Sequence, residues 1–153
     1  MAIRKTVDKI LGNLLIIIMG VMVINVLWQV FTRFVMGTPS SFTDELARYL
    51  MIWLGILGAA YVSGRNMHVA IDVLPLRSSM KTQKKLKRTV YAFVIAFAFF
   101  AMVIGGLRLV YITFVLDQHS PALQIPLSVV YFAIPLSGAL IIFYKILDII
   151  NTK

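Results

Sequence analysis

Four apolar stretches, at about residues 10–33, 46–64, 89–112 and 127–147, carry almost no ionisable side chains, and the short segments between them hold most of the charge. A helix needs about 20 apolar residues to cross roughly 30 Å of hydrocarbon, and each stretch is close to that length. The chain is 60% hydrophobic and 14% charged, against roughly 25% charged in an ordinary soluble domain. A water-facing fold of this composition would expose large apolar patches. The expected fold is therefore all-α: a polytopic membrane protein with four transmembrane helices in a single membrane domain over residues 1–153.

The first stretch follows Arg4, Lys5 and Lys9. It is longer than the ~7–15 apolar residues of a secretory signal and has no small-residue cleavage site before Arg33, so it reads as a retained helix. The net charge of +9 comes from basic residues beside the spans, not from an aromatic-interleaved surface of the kind that binds nucleic acid. Arg65, Arg77, Lys81, Lys84, Lys85, Lys87 and Arg88 lie between the second and third spans. The terminal segments add Arg4, Lys5, Lys9, Lys145 and Lys153, and only Arg33, Arg48 and Arg108 fall on the other side. Because Lys and Arg beside a span resist translocation, this asymmetry predicts that both termini and the central loop are cytoplasmic.

Pro39 ends the first helix, and Ser40 or Ser41 can cap the next. Asp44 and Glu45 then fall in a first turn, where the helix dipole favours negative charge. Residues 42–49 form an amphipathic segment suited to the external interface before the second span, with Phe42, Leu46 and Tyr49 on one side and Asp44, Glu45 and Arg48 on the other. Pro75 breaks the central loop ahead of a basic run, 80–88. Arg108 follows Gly105 and Gly106, and the third helix is expected to continue to about Leu116. Pro135 should kink the fourth span. No internal repeat supports an inverted-repeat carrier core.

Pumps and secondary carriers place carboxylates, histidines or broken helices at membrane depth. Here the first span offers only Asn25 and Gln29, on a face that continues to Arg33. They can line a substrate path or hydrogen-bond across helix interfaces, with Arg33 snorkelling to headgroups or pairing with Asp44 or Glu45. Gly55, Ala59 and Ser63 make a small-xxx-small stripe that lets helix backbones approach, either within the chain or against another protein. His68 and Asp72 can share a helix turn, but no third metal ligand stands near them. His119 reads as a solvated loop residue. The basic run can meet anionic phospholipid, and Trp53 lies at a depth where it should pack. The absence of cysteine excludes a thiolate nucleophile and Cys-based metal sites. With no phosphate loop and no catalytic constellation, the chain is not expected to be an enzyme.

The run Ser41-Phe42-Thr43-Asp44-Glu45-Leu46-Ala47-Arg48-Tyr49, then Gly55-Ile56-Leu57-Gly58-Ala59-Ala60, then Arg65-Asn66-Met67-His68-Val69 with Asp72, resembles the small membrane subunit of tripartite ATP-independent periplasmic (TRAP) transporters, the DctQ-like component. Leu123–Pro126, Tyr131 and Ile134-Pro135 resemble the approach to that family's last helix. The resemblance implies a non-catalytic subunit of the bacterial inner membrane. Its partners would be a large multi-span subunit, which holds the sodium and organic-acid sites, and a periplasmic substrate-binding protein. No cofactor is expected in this chain. Sialic acid, C4-dicarboxylates and other small carboxylates remain open as substrates. In this frame Asn25, Gln29, Gly55, Ala59 and Ser63 are candidates for the subunit interface. Asp44, Glu45, Arg48 and Arg108 are candidates for periplasmic docking, and Arg65, His68 and Asp72 are structural motif residues. The alternatives are a self-contained four-helix exporter, although such a family needs a glutamate in its first span, and an assembly subunit of another membrane complex.

Overall fold

A computed structural model describes residues 2–38, 40–65 and 80–151. His68, Asp72, Pro39, Pro75, Arg77 and Lys153 lie outside the described residues. The chain forms α1 (Ala2–Phe34), α2 (Ser41–Gly64), α3 (Met80–Phe97), a π-helical segment (Ala98–Ile104), α4 (Gly105–Val115), α5 (Leu127–Tyr131) and α6 (Ala133–Asn151). Four stretches are long and apolar enough to cross a membrane: Ile3–Phe34, Ser41–Gly64, Leu86–Val115 and Leu127–Ile150. Among the described residues there is no β-strand, only an isolated bridge between His119 and Pro126.

The spans stand in a row. The first packs on the second, the second on the fourth, and the fourth on the third, while the first and third share no substantial contact among the described residues. The second and fourth spans are the interior ones, and the fourth is the most covered: 39% of its most apolar stretch is buried, against 17% in the second and 11% in the third. The core runs along the row through Leu11, Ile18, Leu57, Ala60, Ala98, Ile141 and Tyr144.

Local chemistry sets where each element begins and bends. The Ser40 side chain caps α2 by accepting from the Thr43 N–H, satisfying one of the free donors of a helix start. The amphipathic stretch 42–49 is the first two turns of this helix and runs into the span without a break. Pro135 has no N–H to give the Tyr131 carbonyl, and the helix is interrupted between Tyr131 and Ala133. Phe132 still donates to Ser128 at 3.0 Å and Leu136 to Phe132 at 3.3 Å, so the interruption is a bend and not a loop. Across the row, Ser137 Oγ donates to the Ile56 carbonyl at 2.8 Å.

The π segment is the feature that hydropathy did not announce. A π turn carries an extra residue and a wider backbone, and α6 meets that surface at Gly138. A Cβ on Gly138 would lie 2.7 Å from Met102 Cβ and 3.2 Å from the Ala98 carbonyl oxygen. Gly138→Val should therefore force the third and fourth spans apart and cost about 1–3 kcal/mol. Gly55 has open space where a Cβ would stand, so Gly55→Ala should be neutral to stabilising, by up to about 1 kcal/mol. Thermal unfolding of both variants in detergent, followed by size exclusion, measures the difference.

Candidate functional site

Ala2, Arg65, Met80 and Asn151 stand at one end of the row, here the terminal end. The 34–41 and 116–127 connections share the other, the loop end. Polar side chains gather at both.

At the loop end, Glu45 lies in the second turn of α2 and is only 9% exposed. Its Oε2 accepts from the backbone N–H groups of Ala122 and Leu123 at 2.9 and 2.8 Å, and its Oε1 accepts from the Tyr49 hydroxyl at 2.9 Å. One carboxylate thus holds the tip of a loop that is closed by Ser120 N–H to Ile125 O and Leu127 N–H to Gln118 O, both 2.9 Å. Gln124, at the tip, sits at φ 56°. Beside this clamp runs a polar ladder open to the surroundings. Gln29 Nε2 donates to Asp44 Oδ1 at 3.3 Å, and Arg48 Nη2 pairs with Asp44 Oδ2 at 3.1 Å. Deeper in, buried Asn25 donates to the Thr43 carbonyl at 2.7 Å.

At the terminal end, Lys145 is 1% exposed and its Nζ reaches the Ser63 carbonyl at 3.0 Å and Asp148 Oδ2 at 3.2 Å. It also lies 4.9 Å from the centre of the Tyr91 ring. Arg4 Nη1 pairs with Asp148 Oδ1 at 2.8 Å, while its Nη2 donates to the Gly64 carbonyl. The Tyr144 hydroxyl donates to Asp8 at 2.6 Å. These bonds tie the first, second and fourth spans at one level. Gly64 permits the closure, because a Cβ there would fall 2.7 Å from the Tyr144 ring. Sequence reasoning missed this cluster. Its signal was Lys145 and Asp148 three residues apart in an otherwise apolar helix, with Arg4 and Asp8 four apart in the first.

The residues singled out by sequence divide clearly. Asn25 is spent on an internal bond and Gln29 on the surface ladder. In the small-residue stripe, Gly55 and Ala59 are exposed, whereas Ser63 is buried and offers only its carbonyl to Lys145; its hydroxyl has no partner among the described atoms. Asp44 and Arg48 stand open at the loop end. Glu45 faces inward and shares its face with Tyr49, so it supports that surface from beneath. Arg108 is exposed on α4, seven residues before Val115, which places it about 10 Å down the helix from the loop end. Arg33 lies over the Phe34 ring at 5.9 Å, and the ion pair of Asp44 is with Arg48. Arg65 ends α2 with its guanidinium 5.0 Å above the Tyr61 ring. Among the described residues no three His, Cys, Asp or Glu side chains converge as metal ligands would. Among the described residues the buried charges Glu45, Lys145 and Asp148 are engaged with internal partners, which fix the relative positions of helices and loop.

The sequence profile of the DctQ component of tripartite ATP-independent periplasmic transporters matches residues 22–152. A Haemophilus influenzae protein named as a TRAP transporter small permease is 30% identical over 146 residues, covering 95% of this chain and 89% of that protein. The sialic acid TRAP transporter small permease SiaQ of Vibrio cholerae is 29% identical over 51% of this chain and 47% of its own length. The C4-dicarboxylate TRAP transporter small permease DctQ of Rhodobacter capsulatus is 29% identical over 70% of this chain and 47% of its own length.

Asp148 is shared by Lys145 and Arg4, so removing it leaves two cations without their carboxylate, whereas removing Lys145 leaves Asp148 still paired with Arg4. Asp148→Asn should therefore destabilise the fold by about 3 kcal/mol and Lys145→Met by less, as read by thermal unfolding in detergent. Glu45→Ala should leave the spans intact but speed hydrogen exchange at the Ala122 and Leu123 amides. Asp44→Ala should leave both amides unchanged.

Proposed function

Because the chain belongs to the DctQ family of tripartite ATP-independent periplasmic transporter components, we propose that it is the fixed scaffold of such a transporter, bracing a large transport subunit in the bacterial inner membrane during sodium-coupled uptake of an organic acid. The chain is a multi-pass membrane protein and a transporter component. Sodium and substrate belong to the large subunit, and the names of the relatives make small carboxylates, sialic acid and C4-dicarboxylates among them, the class to test first. The termini face the cytoplasm and the loop end faces the periplasm, a reading supported by the Lys and Arg asymmetry.

The observation that carries the scaffold reading is the internal use of the buried charges. Glu45, Lys145 and Asp148 are engaged within the chain, so they hold its shape instead of offering ligands to a passing ion. Gly55 and Ala59, exposed on the second span, give the large subunit a smooth surface for close backbone contact. Asp44 and Arg48, with the loop held up by Glu45, form the part of the periplasmic surface that a charged binding protein would meet. Gln29 reaches the same surface through Asp44.

Affinity capture of the tagged chain from its native membrane in mild detergent should recover a large multi-span partner at equal stoichiometry. A chain that elutes alone and transports by itself would refute the scaffold reading. Ala59→Leu should break co-purification. Asp44→Lys and Arg48→Glu should leave the complex intact but slow binding-protein-dependent uptake roughly threefold or more at low salt, because rim charges act chiefly on association rate.

A further inference from the structure

The connection from α4 to α5 is longer than joining them requires. The two helices pack directly on each other, and links of about two to eight residues are usual between neighbouring helices, yet residues 116–126 make a link of eleven. The extra length folds back against the first turns of α2, where Glu45 Oε2 accepts from the Ala122 and Leu123 N–H groups at 2.9 and 2.8 Å. Two non-glycine residues of the loop, Asp117 at φ 49° and Gln124 at φ 56°, stand in the left-handed region. Such a backbone persists where its surroundings fix it.

The clamp decides which way the peptide groups of the tip point. In a trans peptide the N–H and the C=O point in opposite directions, and no cis peptide occurs among the described residues. With the Ala122 and Leu123 N–H groups turned inward onto Glu45, the carbonyls of Pro121 and Ala122 are turned outward, on exposed residues. The Pro121 carbonyl takes one bond, from Gln124 Nε2 at 3.1 Å, and keeps a second lone pair. The Ala122 carbonyl accepts no bond among the described residues.

We propose that this tip is a preformed acceptor edge for a Lys or Arg side chain of the periplasmic binding protein, with Glu45 as its positioning residue. This role rests on the scaffold reading above and adds to its docking surface a main-chain element with a stated chemistry. Carbonyl oxygens only accept, so the matching group must donate. Asp117 in the same loop, its side chain 90% exposed, favours a donor that is also a cation. The loop stands at the loop end, against the start of α2 and not along the spans, so the partner that reaches it is the soluble one. An edge held rigid before contact loses little freedom on binding.

The test uses the chain co-expressed with its large subunit and reconstituted in vesicles, with uptake followed as the binding protein is titrated. Glu45→Ala should raise the binding-protein concentration for half-maximal uptake at least about fivefold, the equivalent of one lost hydrogen bond, with the maximal rate little changed. Glu45→Gln, whose carbonyl still accepts both N–H groups, should keep most of the affinity. Ala122→Arg sets a cation against the incoming one and should raise half-saturation as much, whereas Ala122→Glu, of similar bulk, should not. With Ala122 replaced by benzoylphenylalanine, irradiation should cross-link the chain to the binding protein. Unchanged half-saturation for Ala122→Arg, an equal rise for Ala122→Glu, or cross-links to lipid or the large subunit alone would overturn the acceptor edge. If Glu45→Ala fails to assemble, the Ala122 variants decide. Uptake by the unaltered complex that ignores the binding protein would instead overturn the docking reading on which this role rests.

Discussion

In a bilayer, apolar side chains gain nothing by leaving lipid for one another, so a membrane fold must be held by close packing and polar ties. A row of helices feels this constraint more than a closed bundle, because its outer spans pack along their length against one neighbour. The ties here stand at the two ends. Glu45 gathers two backbone N–H groups and a tyrosine hydroxyl at one; Lys145, Asp148 and Arg4 share carbonyls and charges at the other. Between them the helices approach through residues without bulk, as Gly138 does against the π segment and Gly64 against Tyr144.

The number of spans and the all-helical class were legible because they follow from length and hydropathy alone. Pro135 was readable for a related reason: a missing donor acts locally whatever surrounds it. The partners of the polar residues were not readable. Glu45 looks like an exposed first-turn acid in sequence, and only the return of residues 118–126 over the helix start turns it into a buried anchor. The terminal cluster was hidden because its members are separated by more than a hundred residues, and its lysine and aspartate look like the basic and acidic flanks of an ordinary span. Asn25 was legible as a choice between two roles, and its hydrogen bond to the Thr43 carbonyl came only with the fold.

The scaffold role proposed for this chain makes two demands, rigidity within itself and surfaces left uncommitted. The row meets both by spending its buried charges internally while leaving Gly55, Ala59, Asp44, Arg48 and Arg108 open. This division also explains why the family was recognisable from order and spacing more than from any single motif. The residues that hold the row are scattered, and those that face outward are individually common.

The π segment has a further consequence for how such a chain can change over time. Each residue in an α-helix advances the face by about 100°, so one residue removed from a uniformly wound span swings every later side chain to a new neighbour. The π segment already holds an extra residue in its wide turn, and a deletion within 98–104 tightens that turn toward α geometry while Gly105 to Val115 keep their facing. The wide turn is thus a place where the third span absorbs a change of length in a single step without losing its pairings.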